Sequence, residues 1–176
     1  NSVQKSEIKS IFVDEFGKPY RLSGKIDYVA GWYFKASELM YGTNIRTAFV
    51  STNSITQGEQ VAGIWKPLIE RFGVKIDFAW RTFVWNSDAS EKAKVHCVII
   101  GFSINANVKE FTLFDNELVN VVSKINPYLV EGDNIFVESR REPLFAQTPM
   151  FAGGKPTDGG NLILTIEEKD KLIEKN

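Results

Sequence analysis

The chain has 176 residues, of which 43% are apolar and 24% charged, and its net charge is −1. This balance excludes a disordered tail, and the near-neutral charge gives no overall support for nucleic-acid binding. No apolar run reaches the roughly 18–20 residues of a membrane span, and the polar N-terminus shows no signal peptide, so we expect a cytoplasmic protein without a membrane partner.

The first elements predicted are an irregular segment and a helix. Residues 1–22 mix charges with isolated apolar pairs and carry a turn signal at Gly17, so they predict an irregular segment leading to the first helix. The broad apolar face of residues 26–41 predicts a helix. Ser23 suits its N-cap and Gly42 its C-terminal stop.

The next stretch predicts alternating strands and a helix. Strands are expected at residues 45–50, 74–80 and 94–102. A helix from 59 to 72 follows the first of them, with Gly73 as its stop. Pro67 should kink that helix or split it in two. A helix between strands implies a parallel crossover, and the last two strands are able to form a long hairpin. The pattern predicts an α/β fold.

After Ser103 the predicted elements become short and the sequence becomes rich in loops. We place a boundary there, with one domain at 1–104 and a small, loop-rich α+β segment at 105–176. The elements predicted in the second part are a strand at 108–114, a helix at 117–125, a strand at 134–138, and a charged terminal helix with a Thr165–Glu168 capping box.

Two stretches are candidates for chemistry. Ser51–Gly58 follows a buried strand, where parallel α/β sheets bind ligands, although its hydroxyl and amide side chains also suit an ordinary N-cap loop. Trp80–Trp85 holds three aromatic rings around Arg81, which suits stacking of a base with the arginine near phosphate. Alternation that buries some rings and exposes others singly is the competing interpretation.

The single cysteine and the single histidine point to structure rather than chemistry. Cys97 and His96 exclude an internal disulfide and a Cys/His zinc site, and we assign no metal. Both lie in an apolar strand, where Cys97 is expected to be part of the core and His96 to point to the opposite face. Neither is given a catalytic role.

Three long blocks carry a resemblance to a known family: KIDYVAGWYFKA, TNIRTAFVSTNSITQGEQVAGIWKPL and KIDFAWRTFVWNSDASEKAKVHCVIIGFS. With INPYLVEGDNIFVESRREP and TDGGNLIL, the chain from Lys25 to Leu164 resembles the MmeI-like restriction–modification enzymes. The resemblance implies a partial class I, Rossmann-like methyltransferase fold whose sheet ends in an antiparallel hairpin. Residues 1–104 would be the second half of the catalytic domain, and 105–176 a linker and the beginning of the target-recognition region.

The family transfers a methyl group from S-adenosylmethionine to the exocyclic amine of adenine in double-stranded DNA. Such enzymes rotate the adenine out of the duplex and stack it on aromatic side chains. By resemblance, Phe83 and Trp85 contact the extruded base, while Arg81 steadies the DNA backbone. The residues that would line the crevice are Asn53, Ser54 and Gln57.

Two motifs of the family are absent: the acidic-Phe-Gly motif for the cofactor and the Asn-Pro-Pro-aromatic motif for the target amine. Asn126-Pro127-Tyr128 lacks the second proline and is interpreted as a helix stop. We therefore expect both motifs upstream of Asn1, assign no catalytic residue, and predict that the chain alone is inactive. Its expected partners are DNA and the missing N-terminal part of the same protein, and its open apolar surface favours self-association.

Two other functions stay open from the sequence. The first is a non-catalytic DNA-binding or specificity module, supported by Trp80–Trp85 and the loop-rich second part. The second is an unrelated α/β ligand-binding domain or small enzyme that uses Ser51–Gly58, because a fold alone says little about function.

Overall fold

The computed structural model describes residues 2–85, 94–105, 107–140 and 163–174. The chain divides into two compact units, Asn1–Ser139 and Arg140–Asn176. The elements of the first unit, in chain order, are α1 (Ser2–Ile11), α2 (Ala30–Met40), β1 (Arg46–Thr52), a 3₁₀ turn (Asn53–Thr56), α3 (Gly58–Phe72), β2 (Lys75–Trp85), β3 (Val95–Ser103), β4 (Phe111–Asp115) and β5 (Leu118–Val122).

The five strands form one mixed sheet in the order β1-β3-β2-β4-β5. β3 runs antiparallel to both β1 and β2, so β1 and β2 are parallel and are joined by α3. β4 is parallel to β2, and β5 returns antiparallel beside β4. The predicted hairpin of β2 and β3 is therefore confirmed. Two strands of the sheet, β4 and β5, come from beyond residue 104, so the sheet extends past the domain boundary predicted there. The division into two domains at that residue stays a prediction.

One face of the sheet carries the core. The inward side chains of β1, β3, β2 and β4 meet in a cross-strand row, and they belong to the same apolar cluster as buried residues of α1, α2 and α3. Burial of this cluster supplies the main driving force for folding. The row consists of Phe49, Ile100, Ala79 and Leu113.

The other face of the sheet carries a second apolar row, which we call the outer row. It has one residue on each strand, and its members are partly exposed: Val50 is 51%, Trp80 36% and Val119 60% accessible. Trp80 stacks on its β4 neighbour with ring centroids 4.7 Å apart. In sheet order the outer row is Val50, Ile99, Trp80, Phe114 and Val119.

The helix α3 is continuous from Gly58 to Phe72, so of the two predicted effects of Pro67 the splitting is wrong, while the kink stays a prediction. Proline removes one backbone hydrogen bond, but Pro67 is buried together with Trp65 and Leu68. Packing of that apolar face maintains the helix across the missing bond. The predicted stop at Gly73 is confirmed, because its φ of 74° lies in the left-handed region that glycine adopts readily.

The beginning of the chain differs from the prediction. Residues 2–11 form α1 instead of an irregular segment, and Ile8 and Phe12 are buried on its inner side. Only a narrow apolar stripe marks this helix, and its partner is α2. The second helix begins at Ala30 rather than Ile26, so Ser23 is not its N-cap.

Three predictions in the second half are also wrong. Leu118–Val122 is the strand β5 rather than part of a helix, since Asn116 (φ 54°) lies in the turn that leads from β4 into a β-branched run. Asn126-Pro127-Tyr128 does not end a helix, because the Asn126 side chain accepts a hydrogen bond from the Tyr128 N–H at 3.0 Å in a turn. Residues 134–138 form no strand.

The second unit contains α4 (Ile166–Ile173), and its predicted capping box is confirmed. The Thr165 side chain accepts a hydrogen bond from the Glu168 N–H, and the Glu168 carboxylate accepts one from the Thr165 N–H. The Thr165 N–H and the Thr165 hydroxyl both donate to the Glu168 carboxylate, and these two bonds lower the pKa of that carboxyl. Within the described ranges, no helix is long and apolar enough to cross a membrane.

Candidate functional site

The two candidate stretches lie at the same end of the sheet. Thr52, the last residue of β1, and Phe83 of β2 both pair with Cys97 of β3. Strands are about 4.8 Å apart, so the Cα atoms of Thr52 and Phe83 are separated by roughly 10 Å. We call the group formed by Asn53–Gln57 and Phe83–Trp85 the strand-end site.

Two hydrogen bonds hold the 3₁₀ turn after β1. The buried Trp65 of α3 donates its indole N–H to the Ile55 carbonyl at 2.9 Å, and the Thr56 hydroxyl donates to the Asn53 carbonyl at 2.8 Å. Asn53 is half-buried and Gln57 exposed, and neither side chain forms a hydrogen bond with another described residue. Their amide groups are therefore available to a ligand.

Ser54 has an internal partner. Its hydroxyl donates to the Asp27 carboxylate, and it lies 3.0 Å from the Thr52 hydroxyl. The Asp27 N–H in turn donates to the Gln60 side chain at 2.9 Å. Of the three polar residues predicted to line the crevice, Ser54 is thus engaged within the protein while Asn53 and Gln57 are not.

The aromatic part of the strand-end site is formed by two rings on the same side of β2. Phe83 is half-buried and Trp85 is 51% exposed, with ring centroids 6.4 Å apart and planes tilted by 45°. The register between β2 and β3 shifts between Trp80 and Phe83. Such bulges re-aim side chains, often beside active sites. The exposed Trp85 indole offers a surface for stacking.

Arg81 and Trp80 connect β2 to β4. Arg81 forms an ion pair of 2.7 Å with Asp115, and both side chains are partly exposed. Trp80 stacks on Phe114 with planes 10° apart. The positive charge of Arg81 is therefore balanced within the protein, and any contact with a DNA phosphate has to compete with Asp115.

His96 and Cys97 lie between the two halves of the site. Cys97 is buried, as predicted for a core thiol, and His96 is exposed beside Val84 on the neighbouring strand. The His96 side chain forms no hydrogen bond or ion pair with another described residue, and we give it no role.

The structure also shows two buried polar groups that the sequence did not single out. The Tyr33 hydroxyl lies 2.6 Å from the Ser51 hydroxyl, and burial raises the Tyr33 pKa to about 12. At the other end of the sheet, the buried Asp77 carboxylate accepts hydrogen bonds from Ser103 at 2.8 Å and Arg46 at 3.0 Å. Neither pair has a sequence signal, since the partners are 18 to 31 residues apart.

A cavity of about 420 Å³ lies away from the strand-end site. It is bordered by the end of α3 and the start of β2, with Lys75 and Lys124 among its polar residues. Lys124 already forms an ion pair with Asp133 at 2.7 Å. Because β2 rises about 3.3 Å per residue, its first residue lies roughly 25 Å from Phe83. The cavity contains none of the predicted site residues.

The site lies in a stretch that matches a known family. Residues 1–115 match the model of the MmeI DNA-methyltransferase domain, and residues 131–176 match that of the MmeI target recognition domain. The chain belongs to the MmeI family. The first match ends with β4, so the whole strand-end site lies in the MmeI methyltransferase region.

Two relatives agree with this membership. DNA methyltransferase A of Bacillus subtilis (strain 168) is 41% identical over 174 residues, which are 98% of this chain and 19% of that protein. The solved structure of the type IIL restriction–modification enzyme MmeI in complex with DNA has a TM-score of 0.85 at 41% identity, over 99% of this chain and 23% of that one. The predicted fold and family are thus confirmed, and the chain spans about a fifth of either relative.

Proposed function

We propose that this chain is part of a longer S-adenosylmethionine-dependent adenine-N6 DNA methyltransferase of a restriction–modification system. One observation carries the proposal. Within an MmeI methyltransferase region, the amides of Asn53 and Gln57 and the rings of Phe83 and Trp85 lie at one end of the sheet. This is the end at which α/β sheets bind ligands.

The chemistry of the strand-end site suits an extruded base. An adenine rotated out of a duplex is recognised by stacking and by hydrogen bonds to its edge. Trp85 and Phe83 supply rings, and each amide of Asn53 and Gln57 supplies a donor and an acceptor. We propose these four residues as contacts to the target base. Ser54 is bonded to Asp27 and supports the site without contacting the base. Arg81 contacts the DNA backbone only if DNA displaces Asp115.

S-adenosylmethionine is proposed to bind outside this chain. Asp27 supplies a carboxylate beside the strand-end site, and this carboxylate already accepts a hydrogen bond from Ser54. The described residues therefore fit the role of base contacts better than that of a cofactor site. We expect the cofactor and the group that binds the target amine to come from an upstream part of the protein, and this chain alone to transfer no methyl group.

A non-catalytic DNA-binding or specificity module is the second candidate. The match of residues 131–176 to a target recognition domain favours it. The ion pair of Arg81 with Asp115 and the net charge of −1 count against it, because a free-standing DNA binder usually shows a basic surface. Under either function the partner is double-stranded DNA, and the compartment is the cytoplasm.

A label-transfer assay tests the proposal. Tritiated S-adenosylmethionine and mixed-sequence duplex DNA are incubated with the longer gene product and, in parallel, with the 176-residue chain. We expect label in DNA from the longer protein only. A longer protein that binds DNA but transfers no label would reject the methyltransferase and favour the specificity module. Label from the short chain would reject its predicted inactivity.

A further inference from the structure

Asp27 connects three separate elements beside the strand-end site. Its carboxylate accepts the hydrogen bond of the Ser54 hydroxyl in the 3₁₀ turn, while its backbone N–H donates to the Gln60 side chain of α3 at 2.9 Å. The other end of the Gln60 amide donates to the Lys25 carbonyl at 3.0 Å. The segment before α2, the turn after β1 and the start of α3 are thereby joined through polar side chains.

This network attaches the turn through the Ser54 side chain, whereas Trp65 attaches it through the Ile55 carbonyl. The turn therefore has two separate attachments to the rest of the protein. The Asn53 side chain in the turn and the Gln57 side chain directly after it form no hydrogen bond with another described residue. A hydrogen bond to a charged acceptor is stronger than one between neutral groups, so the Asp27–Ser54 bond is suited to setting a position.

We propose that Asp27 is a positioning residue that acts through Ser54 to hold Asn53 and Gln57 opposite Phe83 and Trp85. The inference rests on the proposed function, because it assigns the turn a task in placing the target base. In this proposal Ser54 supports the turn through its hydrogen bond to Asp27 and does not line the crevice. Asp27 itself touches neither DNA nor cofactor.

The test uses the longer gene product with bulk unmethylated genomic DNA and tritiated S-adenosylmethionine. A displacement of about 1 Å lowers rates by up to roughly 100-fold, so Asp27→Ala and Ser54→Ala should each lower kcat at least about ten-fold. The KM for DNA should change less than about three-fold, because most DNA contacts are to the backbone and lie elsewhere. Asp27→Asn keeps an accepting oxygen and should recover most of kcat.

The double variant Asp27→Ala/Ser54→Ala separates this hydrogen bond from independent effects. If both residues act through the same bond, the double variant is no slower than the slower single variant. Ser103→Ala is the matched control, since Ser103 also donates to a carboxylate, that of Asp77 at 2.8 Å, at the opposite end of the sheet. It should lower the melting temperature without changing kcat per folded enzyme.

The outcomes are distinguishable. Wild-type kcat in Asp27→Ala and Ser54→Ala would overturn the positioning role while leaving the proposed function intact. Losses that multiply in the double variant, or an equal kcat loss in Ser103→Ala, would also overturn it. If Asp27→Ala fails to fold, Ser54→Ala alone decides, because it removes only one hydroxyl. Absence of label from the wild-type protein would overturn the proposed function, and this inference with it.

Discussion

At the scale of single residues, Trp85 gives the most direct test of base stacking. Stacking of a base on an aromatic ring contributes about 1–3 kcal/mol, so Trp85→Ala in the longer protein should lower kcat/KM for DNA methylation roughly 5- to 150-fold. Trp32→Ala is the control, because Trp32 is an exposed tryptophan on α2 that is not one of the strand-end site residues. Equal activities of the two variants in the label-transfer assay would exclude Trp85 as a base contact.

Tyr33 makes a prediction about pH and stability. Its folded-state pKa is about 12, above the ordinary value of 10.0, because burial disfavours the charged form. The folded protein therefore retains this proton between about pH 10 and 12 while the unfolded chain loses it, and stability falls as the pH rises through that window. Tyr33→Phe should lose about 1 kcal/mol at pH 7 with the Ser51 hydrogen bond, yet show a shallower fall above pH 10.

Urea unfolding of the 176-residue chain at pH 7, 10 and 11 measures this difference. Tyr41→Phe is the control, since Tyr41 is exposed and its substitution should leave both stability and pH dependence near those of the wild type. A Tyr33→Phe curve parallel to the wild-type curve above pH 10 would show that the buried phenol does not cause the decline.

At the scale of elements, close packing of α3 depends on Gly63. A Cβ atom at this position would lie 2.6 Å from a methyl group of Ile26 and 3.2 Å from the Leu22 Cβ. Alanine is worth up to about 1 kcal/mol over glycine in a helix, but overpacking costs about 1–3 kcal/mol. Gly63→Ala should therefore destabilise the protein by about 1 kcal/mol or more in urea unfolding.

Gly73→Ala separates this steric effect from backbone strain. Gly73 has a φ of 74° and open space around its missing Cβ, so the cost there comes from the left-handed conformation alone. A compensating shift of residues 22–26 in Gly63→Ala should also weaken the Asp27–Ser54 network, whereas Gly73→Ala should not. Gly63→Ala with wild-type or higher stability would contradict the close approach.

The sequence predicted those elements whose local signals agree with their packing. The hairpin of β2 and β3, the stop of α3 at Gly73 and the capping box of α4 each have a local cause that a single stretch displays. α1 has a narrow apolar stripe, and its burial depends on α2, which local patterning does not reveal. β5 was predicted as a helix because a short apolar run suits either structure.

The candidate site came from two separate signals, and its role stays a prediction. The rule that ligands bind at strand ends singled out Ser51–Gly58, the family resemblance added Phe83 and Trp85, and the observed register places both stretches at the same end of the sheet. The partners of Ser54 and Arg81, namely Asp27 and Asp115, lie 27 and 34 residues away along the chain. Such pairings depend on the tertiary arrangement, so no local pattern reveals them.

At the scale of the whole molecule, the described residues of the first unit leave one face of the sheet covered and the other open. α1, α2 and α3 share the core with the inward row of Phe49, Ile100, Ala79 and Leu113, while the outer row stays partly exposed across all five strands. β1 also lies at a free edge of the sheet. Sheets with parallel strands are usually covered on both faces, and exposed edges favour pairing with further strands. The chain is a fifth of the length of its relatives, and we propose that other parts of the longer protein cover this face.

The open face makes the final prediction, that the isolated chain self-associates through the outer row. Sedimentation velocity should show a mass that rises with concentration in the micromolar range, because a contiguous apolar surface of this kind promotes association. Replacing Val50 and Val119 by lysine should yield a monomer, since both are more than half exposed and their charges would repel across a face-to-face contact. Leu39→Lys on α2, which is 74% exposed on the helical side, is the matched control and should leave association unchanged. A monomeric wild type, or dissociation by Leu39→Lys alone, would reject the outer row as the contact surface.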